Sequence, residues 1–231
     1  MSAGHFGGRP RALGAVLWDM DGLLVDSEPL WTVAERELCA SWGVTFGPKE
    51  KAAILGRRVD ESVPLLLALT GASADPVAAT EWLVARMAEL FREGVTLQPG
   101  AADLLAELHA ARVPQALVSA SLRVLVDALP PRLGTFFQAT VSGDEVTAGK
   151  PDPAGYLVAA ALLGVDARRC VVLEDSHAGA RAGVAAGSRV IVVPSVVPVP
   201  ADPDYEVIGS LTSLSVAALE ASVGAGWPPA G

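Results

Sequence analysis

Apolar positions follow two rhythms along this chain. Short unbroken runs at 15–18, 116–119, 139–141, 171–173 and 190–193 read as strands buried on both faces of a sheet, with a weaker run at 207–208. Between them apolar residues recur three and four apart, which predicts helices over 101–111, 121–129, 153–163, 176–186 and 214–221. The stretch from 27 to about 93 carries no convincing strand. Ser27-Glu28-Pro29 predicts a helix start with Ser27 as the capping hydroxyl. Leu30, Val33, Ala34, Leu38 and Cys39 follow at helical spacing, and Gly43 marks the stop. Further helices are predicted over 61–70 and from Asp75-Pro76 through Phe91. Repeated strand–helix units predict an α/β fold, a parallel sheet with right-handed crossovers and helices on both faces. The helical block then reads as a cap inserted after the first strand. Residues 1–26 and 97–231 form the expected core domain, and 27–96 the cap.

Composition narrows this picture. At 231 residues and 51% hydrophobic, the chain can bury roughly 70–75% of its unfolded surface and needs no staples. Cys39 and Cys170 lie far apart with no CxxC and read as buried thiols in a reducing compartment. No apolar run approaches the ~20 residues of a membrane span. Arg9 and Arg11 precede the run ending at Trp18, but Asp19 cuts it too short for a signal peptide. A cytoplasmic protein, monomeric and without a membrane partner, is expected. The net charge of -9 argues against nucleic acid. A small anionic substrate stays compatible, because a local cation or metal overrides the global field. Residues 1–13 and 224–231 read as loose tails.

The candidate chemistry sits where strands end. Asp19 and Asp21 follow the first strand, and alternation would put both on one face at its C-terminal edge, the ligand-binding edge of an open α/β sheet. Gly22 permits a tight turn after them. D-x-D alone is weak: Asp202-Pro203-Asp204 has the same spacing, but no strand precedes it, and it reads as a solvated turn. Ser119-Ala120-Ser121 and Glu174-Asp175-Ser176 end two other strands, and Lys150 lies in a loop before a helix. Each has a plain structural reading alone: Ser119 as a helix cap, Lys150 as a surface charge, the acids as a helix start. Their convergence on one rim is the less ordinary arrangement.

In this order, Asp19-Met20-Asp21-Gly22, Ser119, Lys150 and Glu174-Asp175 resemble the four motifs of the haloacid dehalogenase superfamily. The strings DMDGLLVDSEPLW, VSAS, GKPDP and LEDSHAGARAG resemble its sugar-phosphatase and β-phosphoglucomutase-like branch. The resemblance implies a Rossmann-like core and a Mg²⁺-dependent phosphotransferase. It assigns Asp19 as nucleophile, forming an aspartyl-phosphate, and Asp21 as general acid and base. Ser119 and neighbouring backbone N–H groups, Ala120 and Gly22 among them, would hold the phosphate, and Lys150 would neutralise charge. Mg²⁺ would take the Asp19 carboxylate, the Asp21 carbonyl and Asp175, with Glu174 as a ligand or beside the ligands.

Substrate choice falls to the cap. Gly56 allows a bend, and Arg57 or Arg58 is placed to meet a polar substrate; Trp31 offers a stacking face or a packing one. β-Phosphoglucomutases typically carry a His at the place of Trp31 and an Arg near the place of Val59. This chain has neither, which favours hydrolysis of a sugar phosphate over mutase chemistry. The stretch also resembles the 2-deoxyglucose-6-phosphatase type. A dehalogenase would need neither Asp21 nor Asp175, and an intact motif set speaks against a non-catalytic scaffold. His5, His109 and His177 read as bystanders, with His177 nearest the expected pocket.

Overall fold

The computed structural model describes residues 12–224. His5 and most of both predicted tails lie outside these residues. Six strands form one parallel sheet: β1 Ala15–Trp18, β2 Gln115–Val118, β3 Ala139–Val141, β4 Cys170–Glu174, β5 Arg189–Val192 and β6 Glu206–Val207. Their order is β3-β2-β1-β4-β5-β6. The chain steps one way from β1 to β3 and the other way from β4 to β6. The switch point, where an open α/β sheet forms its crevice, lies between β1 and β4.

Alternation divides the core. Val16, Trp18, Leu117, Val171, Leu173 and Ile191 point to one face, where Leu104, Leu105, Leu108 and Leu219 pack. Those leucines come from α5 (Ala101–Ala110) and α10 (Val216–Gly224). Ala15, Leu17, Ala116, Val118, Val172 and Val190 point the other way. There they meet Tyr156, Ala159 and Ala160 of α8 (Ala154–Leu162) and Ala180 and Ala182 of α9 (His177–Ala185). Burial on both faces is why β1 is wholly apolar and why β2 and β4 carry a polar residue only at one end.

Four helices separate β1 from α5: α1 Glu28–Ser41, α2 Pro48–Ile54, α3 Val59–Thr70 and α4 Pro76–Glu93. Cys39, Phe46, Ile54 and Leu66 form a small core of their own, while Leu38, Val63, Leu83 and Met87 join the main one. The chain leaves and re-enters the sheet region side by side. Val25 bridges Leu97 in antiparallel fashion, Asp26 N–H donates to Thr96 O (2.9 Å) and Gln98 N–H to Leu24 O (3.0 Å). Among the described residues no helix is long and apolar enough to cross a membrane.

Three expectations need correction. Ser27 does not cap α1. It already has helical dihedrals (φ -85°, ψ -16°), which turn its hydroxyl away from the N2 and N3 donors, and its side chain makes no capping bond. The helix expected over 121–129 shrinks to α6, Arg123–Val126, followed by α7, Pro131–Gly134. Helix α2 was not predicted from the sequence. At seven residues it shows too little of a period, and it is held by Pro48 in its first turn and by Glu50, which accepts from Gly47 N–H (2.9 Å).

Both thiols are buried, and burial pushes Cys39 up to about 11 and Cys170 to about 12. The second D-x-D, Asp202-Pro203-Asp204, is a turn: Asp204 N–H donates to Asp202 (2.9 Å), and Arg181 pairs with Asp204 (2.9 Å).

Candidate active site

Past the end of β1 the ladder runs one step further, with Asp19 N–H donating to Leu173 O (2.9 Å). Asp19 is thereby fixed at the rim. Met20 turns into the core and is fully buried. A tight turn follows, in which Gly22 N–H donates to Val25 O (2.8 Å) and Val25 N–H to Met20 O (2.9 Å). This turn, rather than a continued strand, delivers Asp21 to the cavity that Asp19 lines. Gly22 has φ +86°, and a Cβ on it would overlap the Asp175 carboxylate. No other residue meets both conditions.

Strand β2 supplies the next wall. Ser119 N–H extends its ladder to Val141 O (2.9 Å), and its Oγ accepts from Ser121 N–H (2.9 Å). Ser121 Oγ donates to Asp21 Oδ2 (2.8 Å), with Ser119 Oγ at 3.4 Å from the same atom. The other oxygen, Asp21 Oδ1, is buried without a hydrogen-bond partner. Ala120 lines the same cavity.

Lys150 Nζ donates to Asp19 Oδ1 (2.5 Å), Glu174 Oε1 (2.5 Å) and Val118 O (3.2 Å), and lies 5.1 Å from the Tyr156 ring centre. Fully buried Glu174 also accepts from Tyr156 OH (2.7 Å), Ser176 Oγ (2.9 Å) and the N–H groups of Asp175 and Ser176 (3.1 Å each). Its two oxygens are saturated with donors. Asp175, less encumbered, accepts from Ser195 Oγ (2.9 Å).

The charges at this rim do not balance. Burial pushes Asp19 well above the ordinary carboxylate range, against the pull of Lys150 and with the push of Glu174 and Asp175. Burial pushes Glu174 the same way, but Lys150, Tyr156 and Ser176 outweigh it and hold Glu174 low. For Lys150, burial acts to lower the pKa, and Asp19 and Glu174 together hold it well above the usual value. Asp175 rises to about 7, first from burial and then from the Glu174 charge. Oxygens of Asp19, Glu174 and Asp175 lie within 4.8 Å of one another. Crowded carboxylates with excess negative charge, beside the orphaned Asp21 oxygen, fit a hard divalent cation.

The cavity spans about 750 Å³ between this rim and the helices after β1. Trp31, Gly56, Arg57, Arg58 and His177 all line it. Arg57 Nε donates to Ala53 O (2.9 Å), and Arg58 pairs with Asp60 (3.1 Å). The loop after β5, through Ser195, Val196 and Val197, closes another side. His177 Nδ1 lies 3.1 Å from Tyr205 OH, and His109 packs edge-on to Phe136.

Sequence reasoning passed over Ser121, Tyr156, Ser176 and Ser195. Ser121 and Ser176 each carried a signal, as the last residue of a triplet at a strand end. Tyr156 belongs to an apolar helix, and nothing local marks its hydroxyl as a carboxylate partner.

Gly179 is a sensitive point. A Cβ there would overlap the Glu174 carboxylate. Gly179→Ala is expected to destabilise by about 2–3 kcal/mol, which thermal melts would read as a Tm drop of roughly 5–10 °C. An unchanged Tm would show that Glu174 can move aside.

A family model described as haloacid dehalogenase-like hydrolase matches residues 13–187. Hexitol phosphatase B of Escherichia coli K12 is 41% identical over 192 residues, 80% of this chain and 86% of that protein. (DL)-glycerol-3-phosphatase 1, mitochondrial, of Arabidopsis thaliana is 34% identical over 190 residues, 78% of this chain and 63% of that protein. Among solved structures, CbbY from Rhodobacter sphaeroides in complex with phosphate is similar at TM-score 0.79 and 30% identity, covering 90% of this chain and 99% of that one. With strand order, rim chemistry and family model in agreement, the chain belongs to the haloacid dehalogenase-like hydrolase family.

Proposed function

We propose that this chain is a Mg²⁺-dependent phosphatase that hydrolyses a small phosphate monoester, a sugar phosphate, through an aspartyl-phosphate. The observation that carries the reading is the convergence of Asp19, Asp21, Lys150 and Asp175 on one cavity at the switch point of the sheet. The phosphatase names of the relatives support it.

In this reading a carboxylate oxygen of Asp19 attacks phosphorus, and the bond from phosphorus to the leaving oxygen breaks. Asp21 gives its proton to the leaving alkoxide, which departs as an alcohol. Asp21 then takes a proton from water as that water attacks phosphorus, which releases inorganic phosphate and restores Asp19. Ser121 and Ser119 hold the Asp21 carboxylate for both transfers. Lys150 keeps one Asp19 oxygen fixed, and Glu174 keeps Lys150 fixed. Asp19, Asp175 and the Asp21 carbonyl would hold Mg²⁺, whose charge would neutralise the phosphoryl oxygens. Trp31 and Val59 stand on the cavity wall where a mutase would carry His and Arg, which supports hydrolysis over mutase chemistry; Arg57 and Arg58 line the same wall.

A panel of phosphate monoesters assayed with and without Mg²⁺ tests this. Release of phosphate that vanishes with chelation is expected. Metal-independent turnover, or conversion of glucose 1-phosphate to glucose 6-phosphate in place of hydrolysis, would overturn it.

Stability should follow the same charges. Asp175 has its folded pKa raised to about 7, above its ordinary 3.8. Its contribution is therefore fully present below about pH 4 and lost as pH rises through 7. The metal-free protein is expected to melt lower at pH 8 than at pH 5, and Mg²⁺ to raise Tm more at pH 8. Equal Mg²⁺ shifts at both pH values would contradict this.

A further inference from the structure

The cavity has a second charged centre, away from the catalytic rim. Lys51 of α2 pairs with Glu35 of α1 (2.7 Å) and also with Glu28 of α1. All three line the cavity. Glu35 is only 6% exposed. Around them the wall is apolar or aromatic: Trp31, Ile54, Leu83 and Val84. No step of the proposed hydrolysis uses these groups.

Stability does not account for such a triad. Burying an ammonium and two carboxylates costs desolvation, and a well-packed apolar substitute is often at least as stable. Burial dominates Glu35, whose pKa rises to about 7 although Lys51 pulls it down. Chemistry accounts for it better. Ionised carboxylates only accept hydrogen bonds, and an ammonium only donates. A ligand that satisfies both must offer groups that donate and accept, which is what hydroxyls do. A second phosphate or a carboxylate on the ligand would meet two acids for one lysine. Of the two arginines that also line the cavity, Arg58 is already balanced by Asp60 and Arg57 is tied through Nε to Ala53 O.

We infer that Glu28, Lys51 and Glu35 form the leaving-group subsite, which takes the hydroxyls of a neutral polyhydroxylated alcohol and disfavours leaving groups that carry a second anion. This rests on the phosphatase reading above and adds the residues and the class of alcohol. The apolar wall suits the C–H faces of the same ligand.

The test is a ratio. For the full-length enzyme with Mg²⁺, kcat/KM is measured on sorbitol 6-phosphate, 2-phosphoglycolate and p-nitrophenyl phosphate. The wild type is expected to prefer sorbitol 6-phosphate to 2-phosphoglycolate by more than about tenfold. In Glu35→Gln and in Lys51→Met the ratio of sorbitol 6-phosphate to p-nitrophenyl phosphate should fall about tenfold or more, through KM. That is the loss of one hydrogen bond to a charged group. Glu35→Gln keeps the shape of the side chain, so a poorly folded Lys51→Met would not void the test. Unchanged ratios, or a wild-type preference for 2-phosphoglycolate, would overturn the inference while p-nitrophenyl phosphate turnover keeps the phosphatase reading. Failure to hydrolyse any of the three esters would overturn both.

Discussion

Asp19→Asn is expected to lower phosphate release by about 10⁴-fold or more, because in the proposed mechanism the amide cannot form the acyl phosphate. It is also expected to leave Tm unchanged or to raise it. Ionised Asp19 sits buried beside Glu174 and Asp175, and both push against its charge. Asparagine removes that repulsion while Lys150 keeps Glu174 as a partner. Loss of activity without loss of stability separates a reacting group from one that holds the fold. Retained turnover would remove Asp19 from the chemistry. A large Tm drop would show that its pairing with Lys150 outweighs the repulsion.

Lys150→Met should do the reverse on stability. Two buried carboxylates, Asp19 and Glu174, would lose their shared cation. Breaking a buried ion pair from one side costs about 3–5 kcal/mol, so Tm should fall by roughly 10 °C. Activity should fall by at least about 10³-fold, since on the proposed mechanism the charge that restrains the nucleophile and offsets that of the phosphate is gone. The double change to Asn at 19 and Met at 150 should recover part of the lost stability and none of the activity. Additive stability losses would mean the two groups are not coupled as their 2.5 Å contact implies.

Much of this was legible in the sequence because the two signals involved are local. Strands β1 and β4 are apolar at every position up to a carboxylate, so both their place in the sheet and the acids at their ends show in single short runs. The same holds for Ser119 after β2, whereas Lys150, in a loop, stood out only through the resemblance of the GKPDP string. What escaped depends on contacts across the chain. Tyr156 and Glu174 meet over a helix and a strand that share no pattern. Lys51 sits on a helix too short to show a period, and its partners are on α1. Ser27 misled because a capping residue type is a preference, and the observed dihedrals had left the hydroxyl nothing to cap. The turn that carries Asp21 also differs from a continued strand, although both place it beside Asp19.

The paired backbone at Val25 and Leu97 has a bearing on how such a protein can change. The two ends of the helical insertion are zipped together by main-chain bonds, independent of side-chain identity. The segment between them thus hangs on a fixed backbone neck, although Leu38, Val63, Leu83 and Met87 also pack into the main core. On the proposed reading, exchange of the 27–96 segment is expected to alter the room and the polar groups that greet an alcohol, while the loops proposed to handle phosphorus keep their spacing. If the proposed division holds, much of what sets specificity and what sets reactivity lie on separate lengths of chain, joined by a neck that side-chain changes leave in place.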